Sequence, residues 1–307
     1  MKITIVGAGN VGASTALLAA QKELGEIVLL DIAQGIPQGK GLDILQSSPI
    51  EGFCKTILGT NDYQASTNSD LVIITAGVPR KPGMSREDLL LINAKIIKDI
   101  VENIMKYSKN PILLIVSNPV DIMTYYAWKI SNLPNSRVLG QAGVLDTARF
   151  KTFIASELQV ASRDITALVM GGHGDTMVPI TRLTCVGGIP VSELISEKRL
   201  TEIVERTRNG GAEIVELLKM GSAYYAPASA TIEMAESIVK DQKRVLPSSV
   251  YLTGQYGISD VYIGVPAKLG KDGVEQIYEI ELMQDERTKL TQSANVYKNG
   301  IQQLNKL

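Results

Sequence analysis

Residues 7–12 read Gly7-Ala8-Gly9-Asn10-Val11-Gly12, and this glycine pattern is the strongest indication of the fold in the sequence. It follows a β-branched run, Lys2–Val6, and opens a stretch rich in alanine and leucine that extends to about Glu23. The run is typical of a strand and the later stretch of a helix. In a strand-to-helix turn with this spacing, the first glycine permits a tight bend, the second admits a ligand to the backbone, and the third lets the helix pack closely.

An acidic residue, Asp31, stands 19 residues after Gly12, at the end of a second apolar run, Glu26–Leu30. In a G-x-G-x-x-G unit, a carboxylate at this place hydrogen bonds the adenosine ribose hydroxyls. Its charge repels a 2′-phosphate, and Ile32 and Ala33 provide no arginine to bind one. We therefore predict an NAD site rather than an NADP site, formed by residues 7–12 and Asp31. The alternative is a glycine turn in an unrelated α/β fold, which Asp31 disfavours.

The first half of the chain alternates short apolar runs with helical patterns. Further strands are predicted at Lys55–Leu58, Leu71–Thr75 and Pro111–Val116, and further helices at Gly35–Gln46 and from the capping box Ser85/Asp88 to about Lys106. Apolar strands that alternate with helices are typical of a parallel sheet buried on both faces. We predict an N-terminal Rossmann NAD-binding domain, residues 1–143.

After about Gly143 the pattern changes to clustered strands and long helices. Strands are predicted at Ile165–Val169, Val178–Ile180, Val250–Gly254, Val261–Val265 and Glu275–Ile280, and helices at Leu145–Leu158, Lys198–Lys219, Pro227–Val239 and Gln284–Leu304. This pattern indicates an α+β domain. The complete prediction is an α/β protein in which an α+β substrate domain, residues 144–307, follows the Rossmann domain.

Composition restricts the chemistry, because the 307 residues include one histidine, His173. A zinc site built on several imidazoles is excluded, and we predict no metal. The two cysteines, Cys54 and Cys185, lie 131 positions apart, which excludes a CxxC motif and a disulfide framework. The 31 basic and 32 acidic residues argue against a nucleic-acid partner. The longest apolar stretches are strand-sized, so we expect a cytoplasmic protein without a membrane partner.

His173 lies in a glycine-rich segment, Gly171–Asp175, directly after a predicted strand. Such a histidine is either a solvated turn residue or a base beside a backbone kept clear for a ligand. Asp146 and Arg149 have the i, i+3 spacing that places two side chains on one helix face. A surface ion pair is the ordinary meaning of that spacing. Asn118, which closes a strand before a proline, is by itself a turn former.

Several longer motifs carry a resemblance over essentially the whole chain. They are GAGNVG from Gly7, ITAGVPRKPGMSR from Ile74, VSNPVD from Val116, LDTARF from Leu145, GGHGDTMVP from Gly171 and GSAYYAPA from Gly221. In this combination the chain resembles the lactate/malate dehydrogenase family, and within it the malate dehydrogenases of lactate-dehydrogenase-like type. The resemblance implies a Rossmann domain followed by an α+β substrate domain.

The resemblance also implies the roles of the site residues. His173 would exchange the hydroxyl proton as hydride passes between C2 of malate and the nicotinamide, and Asp146 would fix the tautomer of its ring. Arg149 would bind the carboxylate beside the reacting carbon. Arg86 would polarise the substrate carbonyl, and Asn118 would hydrogen bond near the same oxygen.

The cofactor and the second substrate carboxylate have implied contacts as well. Asn93 and the backbone of residues 116–118, Val116, Ser117 and Asn118, would contact NAD. The loop from about Gly77 to Arg86 would close over the site. Arg80 stands in that loop where lactate dehydrogenases carry glutamine, so it would pair the second carboxylate of malate or oxaloacetate. A homodimer or homotetramer is implied.

Two other functions stay open at this point. A lactate or other 2-hydroxyacid dehydrogenase would differ in its preference between oxaloacetate and pyruvate. A non-catalytic NAD-binding protein would have no need of His173, Asp146, Arg149, Arg86 and Asn118 together.

Overall fold

The computed structural model describes residues 1–78 and 85–304, and its elements follow the predicted alternation. The first half forms β1 (Lys2–Val6), α1 (Asn10–Gln21), β2 (Glu26–Leu30), α2 (Ile36–Glu51), β3 (Ile57–Thr60), β4 (Leu71–Ile74), α3 (Arg86–Tyr107), β5 (Ile112–Ile115), α4 (Val120–Ser131) and β6 (Val138–Gly140). The second half forms α5 (Gly143–Leu158), β7 (Ile165–Thr166), β8 (Val169–Met170), β9 (Val178–Pro179), β10 (Cys185–Val186), β11 (Ile189–Pro190), α6 (Val191–Leu194), α7 (Glu197–Leu218), α8 (Tyr225–Val239), β12 (Arg244–Thr253), β13 (Ser259–Gly270), β14 (Gly273–Ile277) and α9 (Gln284–Leu304).

The first six strands form a parallel sheet in the order β3-β2-β1-β4-β5-β6. All residues of β4 and β5 are buried, as a sheet covered by helices on both faces requires. The strand order reverses between β1 and β4, and ligands of open α/β sheets bind at the carboxyl ends of the strands beside such a reversal. The predicted fold class, with its Rossmann half, is confirmed.

The second half of the chain extends the same sheet. Antiparallel strands β12, β13 and β14 add to β6, and the first contact pairs Ser249 with Gly140. Two smaller sheets, β11-β10-β7 and β8-β9, complete this half. The predicted run Ile165–Val169 is therefore wrong as a single strand, because β7 and β8 pair with different partners. The division into residues 1–143 and 144–307 stays a prediction.

Helix α2 extends five residues beyond its predicted end, to Glu51 instead of Gln46. The sequence Ser47-Ser48-Pro49 is typical of a helix end, since proline disfavours helical backbone in the residue before it. The helix instead continues to Gly52, which has a left-handed φ of 82° and whose N–H bonds to the carbonyl of Ser48.

The predicted capping box at the start of α3 is confirmed. Ser85 Oγ accepts a hydrogen bond from Asp88 N at 3.0 Å, and Ser85 N donates to Asp88 Oδ2 at 3.1 Å. Within residues 1–78 and 85–304, no helix is long and apolar enough to cross a membrane.

Candidate active site

The glycine turn after β1 leaves one open place for a ligand. Gly7 has a φ of 106°, and a Cβ there would lie 2.7 Å from Ala76 N. A Cβ on Gly12 would lie 1.7 Å from Gly7 O, so helix α1 touches the turn here. A Cβ on Gly9 would meet no atom within 4 Å. The protein itself therefore requires the first and third glycines, while the second faces open space.

Asp31, at the carboxyl end of β2, holds this turn in place. Its Oδ2 accepts a hydrogen bond from Ala8 N at 2.6 Å, and its Oδ1 accepts one from Ala33 N at 2.9 Å. Each carboxylate oxygen keeps a second lone pair, so these contacts leave capacity for a ribose hydroxyl. Lys40 was not among the predicted residues, although its Nζ donates to the carbonyl of Ala8 at 2.8 Å.

Asn93 joins the loops that follow β4 and β5. Its side chain is buried, its Oδ1 accepts from Val78 N at 2.9 Å, and its Nδ2 donates to the carbonyl of Asn118 at 2.7 Å. Ser117 Oγ donates to the carbonyl of Ala76 across the same pair of loops. Through these contacts Asn93 holds the two loops together. The predicted contact between Asn93 and the cofactor stays a prediction.

A cleft of about 550 Å³ opens at this edge of the sheet and brings together many of the predicted residues. Its predicted lining residues are Gly9, Asn10, Val11, Gly12, Asn93, Val116, Ser117, Asn118, Arg149 and His173. The cleft is also lined by Gln141, Arg208, Asn209 and Tyr224, which were not predicted as site residues. Gly7, Ala8 and Asp31 support the turn beside the cleft. Arg80 lies outside the described residues, and of Arg86 the structure describes only the backbone, at the first position of α3.

The carboxylate of Asp146 lies between the two other charged groups of the site. Asp146 Oδ2 is 2.9 Å from His173 Nδ1, and its Oδ1 is 3.5 Å from Arg149 Nη1. The exposed fraction is 2% for the Asp146 side chain, 16% for His173 and 13% for Arg149. The contact between Asp146 and His173 that the resemblance implies is thus present. Asp146 contacts Nδ1 of the imidazole and not Nε2.

Burial and charge act in opposite directions on the imidazole. Burial lowers the pKa of His173, but the negative charge of Asp146 and its hydrogen bond to Nδ1 outweigh burial, so the net pKa is raised. Burial lowers the pKa of Arg149, and the charge of Asp146 opposes this change. The site therefore favours a protonated imidazole more than an isolated histidine would.

The segment that carries His173 is held by α9. Ser293 Oγ accepts a hydrogen bond from Gly172 N at 2.9 Å, and Tyr297 OH donates to the carbonyl of His173 at 2.9 Å. A Cβ on Gly172 would lie 1.7 Å from Cε2 of Tyr297. Gly172 thus makes room for a tyrosine ring of the protein itself. Ser293 and Tyr297 have helical i, i+4 spacing, but no local pattern in the sequence indicates what that face contacts.

Polar atoms without hydrogen-bond partners border the cleft. Within the described part of the chain, Gln141 Nε2, Asp146 Oδ1 and Arg149 Nε are buried and lack a hydrogen bond. Such groups are rare in proteins because each costs free energy, and their clustering is typical of a ligand site. Helix α7 leaves space for Arg149, since a Cβ on Gly210 would lie 3.3 Å from its Cδ.

The cleft has the features that a dinucleotide needs. No side chain caps the N-terminus of α1, and its first turn contains no acidic residue. The helix dipole and the N–H groups of this turn favour a phosphate, and the open space at Gly9 admits one. These residues fit the pyrophosphate of NAD.

Comparisons with known proteins identify the family. A family model described as lactate/malate dehydrogenase, NAD binding domain, matches residues 1–140, and one described as lactate/malate dehydrogenase, alpha/beta C-terminal domain, matches residues 143–307. The malate dehydrogenase of Chlorobium luteolum is 58% identical over 308 residues, covering 100% of this chain and 99% of that protein. The chain belongs to the lactate/malate dehydrogenase family.

Solved structures agree with this membership. The malate dehydrogenase of Salinibacter ruber superimposes with a TM-score of 0.96 at 49% identity, covering 100% of this chain and 98% of that one. The lactate dehydrogenase of Cryptosporidium parvum, in complex with lactic acid and nicotinamide adenine dinucleotide, gives 0.96 at 42% identity with the same coverage. The predictions of family and of NAD as cofactor are confirmed, and the names of the relatives agree with the predicted malate dehydrogenase activity.

Replacing Gly9 by alanine separates folding from cofactor binding. We expect Gly9→Ala to keep the thermal unfolding temperature of the ligand-free protein, because its Cβ meets no protein atom. We expect its Kd for NADH to rise about 10–100-fold, since the methyl group enters the space assigned to the pyrophosphate. Fluorescence titration with NADH measures the change, and Gly39→Ala in α2, which also has open space, is the matched control. Equal NADH affinity in Gly9→Ala and the wild type would contradict this placement.

Proposed function

We propose that this protein catalyses the reversible oxidation of (S)-malate to oxaloacetate with NAD. The observation that carries the proposal is the hydrogen bond between Asp146 and His173, beside Arg149, in the cleft that also contains the glycine turn. The relatives at 52–58% identity over their full length, all malate dehydrogenases by name, support it.

His173 is the proposed acid and base of the reaction, and NAD supplies the hydride acceptor when bound. In malate oxidation, Nε2 of neutral His173 takes the proton of the substrate hydroxyl. Asp146 holds the Nδ1 proton, which keeps Nε2 in the form that accepts, and it stabilises the imidazolium that results. In oxaloacetate reduction the imidazolium returns the proton to the same oxygen.

The proposed substrate contacts surround this pair. Arg149 binds the carboxylate beside the reacting carbon through two parallel hydrogen bonds, and its unpartnered Nε supports that role. Asn118 hydrogen bonds near the reacting oxygen, and Arg86 stabilises the charge that develops there. The proposed cofactor contacts are residues 7–12, Asp31, Asn93 and residues 116–118.

Arg80 is the proposed determinant of the substrate. Malate and oxaloacetate carry a second carboxylate, which must be paired when the active-site loop excludes water. A buried charge left without its partner costs about 3–5 kcal/mol. This energy corresponds to a factor of about 10²–10⁴ in rate, so one residue is sufficient to choose between substrates.

The competing functions share this fold. The Cryptosporidium parvum lactate dehydrogenase has the same TM-score as the Salinibacter ruber malate dehydrogenase, so the fold does not separate the two substrates. The choice of malate therefore depends on Arg80 and on the names of the relatives. A non-catalytic NAD-binding protein is disfavoured, because it would have no use for the buried group of Asp146, His173 and Arg149.

We further propose that residues 1–143 bind NAD and residues 144–307 bind substrate, in a cytoplasmic homodimer or homotetramer. Exposed apolar side chains on α2 support an assembly: Ile36, Leu42, Leu45 and Ile50 are between 39% and 86% exposed. Apolar exposure of this kind marks a contact surface when it is contiguous. Sedimentation velocity distinguishes the monomer, dimer and tetramer.

The activity is tested by measuring NADH oxidation with oxaloacetate and with pyruvate, in the wild type and in Arg80→Gln. We expect the wild type to prefer oxaloacetate by at least about 10² in kcat/KM, and the variant to lose most of that preference, because the second carboxylate loses its partner. Arg287→Gln on α9 makes the same charge change on an exposed helix face and is the matched control. Comparable wild-type rates on the two substrates would rule out the malate assignment. An unchanged ratio in Arg80→Gln would rule out the role of that residue.

Replacing His173 by asparagine tests the proton exchange. We expect His173→Asn to lower kcat by about 10²–10⁴, since a positioned acid–base group contributes about that factor. The Kd for NADH, measured by fluorescence, stays within about threefold of the wild type, because the proposed phosphate contacts are made by the glycine turn and not by His173. Turnover within tenfold of the wild type would mean that another group exchanges the proton.

A further inference from the structure

Asp121 is a buried carboxylate on the backbone side of His173, and the function proposed above gives it no role. It is the second residue of α4 and is 0% exposed. Its Oδ2 accepts a hydrogen bond from His173 N at 3.0 Å, and its Oδ1 accepts one from Ser249 Oγ at 2.6 Å. Three elements therefore meet at this carboxylate: α4, strand β12 and the segment that carries the histidine.

Both hydrogen-bond donors of Asp121 are neutral groups, so the cost of burying its charge is only partly offset. Burial raises the pKa of Asp121 to about 6, against the hydrogen bonds from Ser249 and His173 that lower it. A neutral side chain with a hydroxyl or amide group would make hydrogen bonds of the same length with a smaller free-energy cost of burial. The carboxylate therefore requires a reason beyond holding the loop.

The reason lies in the charges around the imidazole. Asp146 of α5 contacts the ring, and Arg149 of the same helix lies beside Asp146. Asp121 of α4 and Tyr297 of α9 contact the backbone of His173, and Asp175 follows it in its own segment. The charges of Asp146, Arg149 and Asp121 all act on the imidazole. Asp146 and Arg149 are opposite charges that partly cancel at the ring. Asp121 adds a second negative charge, and opposite charges nearby favour the imidazolium.

We propose that Asp121 is a positioning residue for His173: its carboxylate fixes the backbone of the histidine and its charge stabilises the imidazolium. The effect of Asp121 on turnover rests on the proposed function, whereas its effect on the pKa of His173 does not. If Asp121 only held the backbone of His173 in place, its role would depend on its hydrogen bonds and not on its charge. Asparagine preserves those bonds, since its oxygen accepts from His173 N and its amide donates to Ser249 Oγ, and it removes only the charge.

The chain contains one histidine, so an NMR titration of the untagged protein reports the imidazole of His173 without assignment. We expect Asp121→Asn to lower the pKa of His173 by roughly 0.5–1 unit. We expect Ser249→Ala to lower it less, because loss of the hydroxyl donor raises the pKa of Asp121 and so reduces the population of its anion. Tyr297→Phe, which removes a hydrogen bond to His173 without removing a charge, is the control and leaves the titration unchanged.

The kinetic readout has a defined sign. Oxaloacetate reduction requires the imidazolium, so its kcat/KM falls as the pH rises through the pKa of His173. In Asp121→Asn we expect this fall at a lower pH, displaced by the same amount as the pKa of His173. The rise of kcat/KM for malate oxidation with pH moves to lower pH as well. Ser249→Ala serves if Asp121→Asn does not fold. Titration curves of His173 identical to the wild type in the folded variants would overturn the proposal. A shifted titration in a protein that does not turn over oxaloacetate would uphold Asp121 and remove the proposed function instead.

Discussion

The arrangement of the active site depends on the buried carboxylate of Asp146. Removing such a group from water costs several kcal/mol unless charged partners and hydrogen bonds compensate. The compensation comes from His173 at 2.9 Å and Arg149 at 3.5 Å. Arg149 follows Asp146 by one helical turn of α5, so its place is local. His173 comes from another part of the chain, and contacts from β13 and α9 hold its segment beside the carboxylate.

The antiparallel extension of the sheet provides that support. Gly171 pairs with Gly264 of β13 through two backbone hydrogen bonds of 2.9 and 3.1 Å, which anchors the segment before His173. Ser249 on β12 pairs with Gly140 of β6 and also contacts Asp121 beneath the histidine. The sheet that forms the NAD-binding half is thus continuous with the strands that hold the segment of His173. The glycine turn and the proposed acid–base residue are therefore supported by one continuous sheet.

The sequence predicted several features that depend on neighbouring residues. The glycine turn, the capping box at Ser85 and the alternation of strands and helices all follow from neighbours within a few residues, and the structure has them. The approach of Asp146 to His173 is a contact across 27 positions, which came from the family resemblance rather than from spacing. Asp121 and Tyr297 were missed because they contact His173 across 52 and 124 positions. Their contacts with His173 depend on how the sheet continues past β6. The periodicity of the sequence within α4 or α9 does not predict this continuation.

The proposed roles require one geometry of the reacting complex, and a crystal structure with NADH and a dicarboxylate analogue of malate measures it directly. We expect the analogue's hydroxyl oxygen within hydrogen-bond distance of His173 Nε2, one carboxylate on the guanidinium of Arg149 and the second on Arg80. The Asp146–His173 hydrogen bond should keep its length of 2.9 Å. An analogue bound with its hydroxyl away from His173, or with both carboxylates on residues other than these arginines, would contradict the proposed roles.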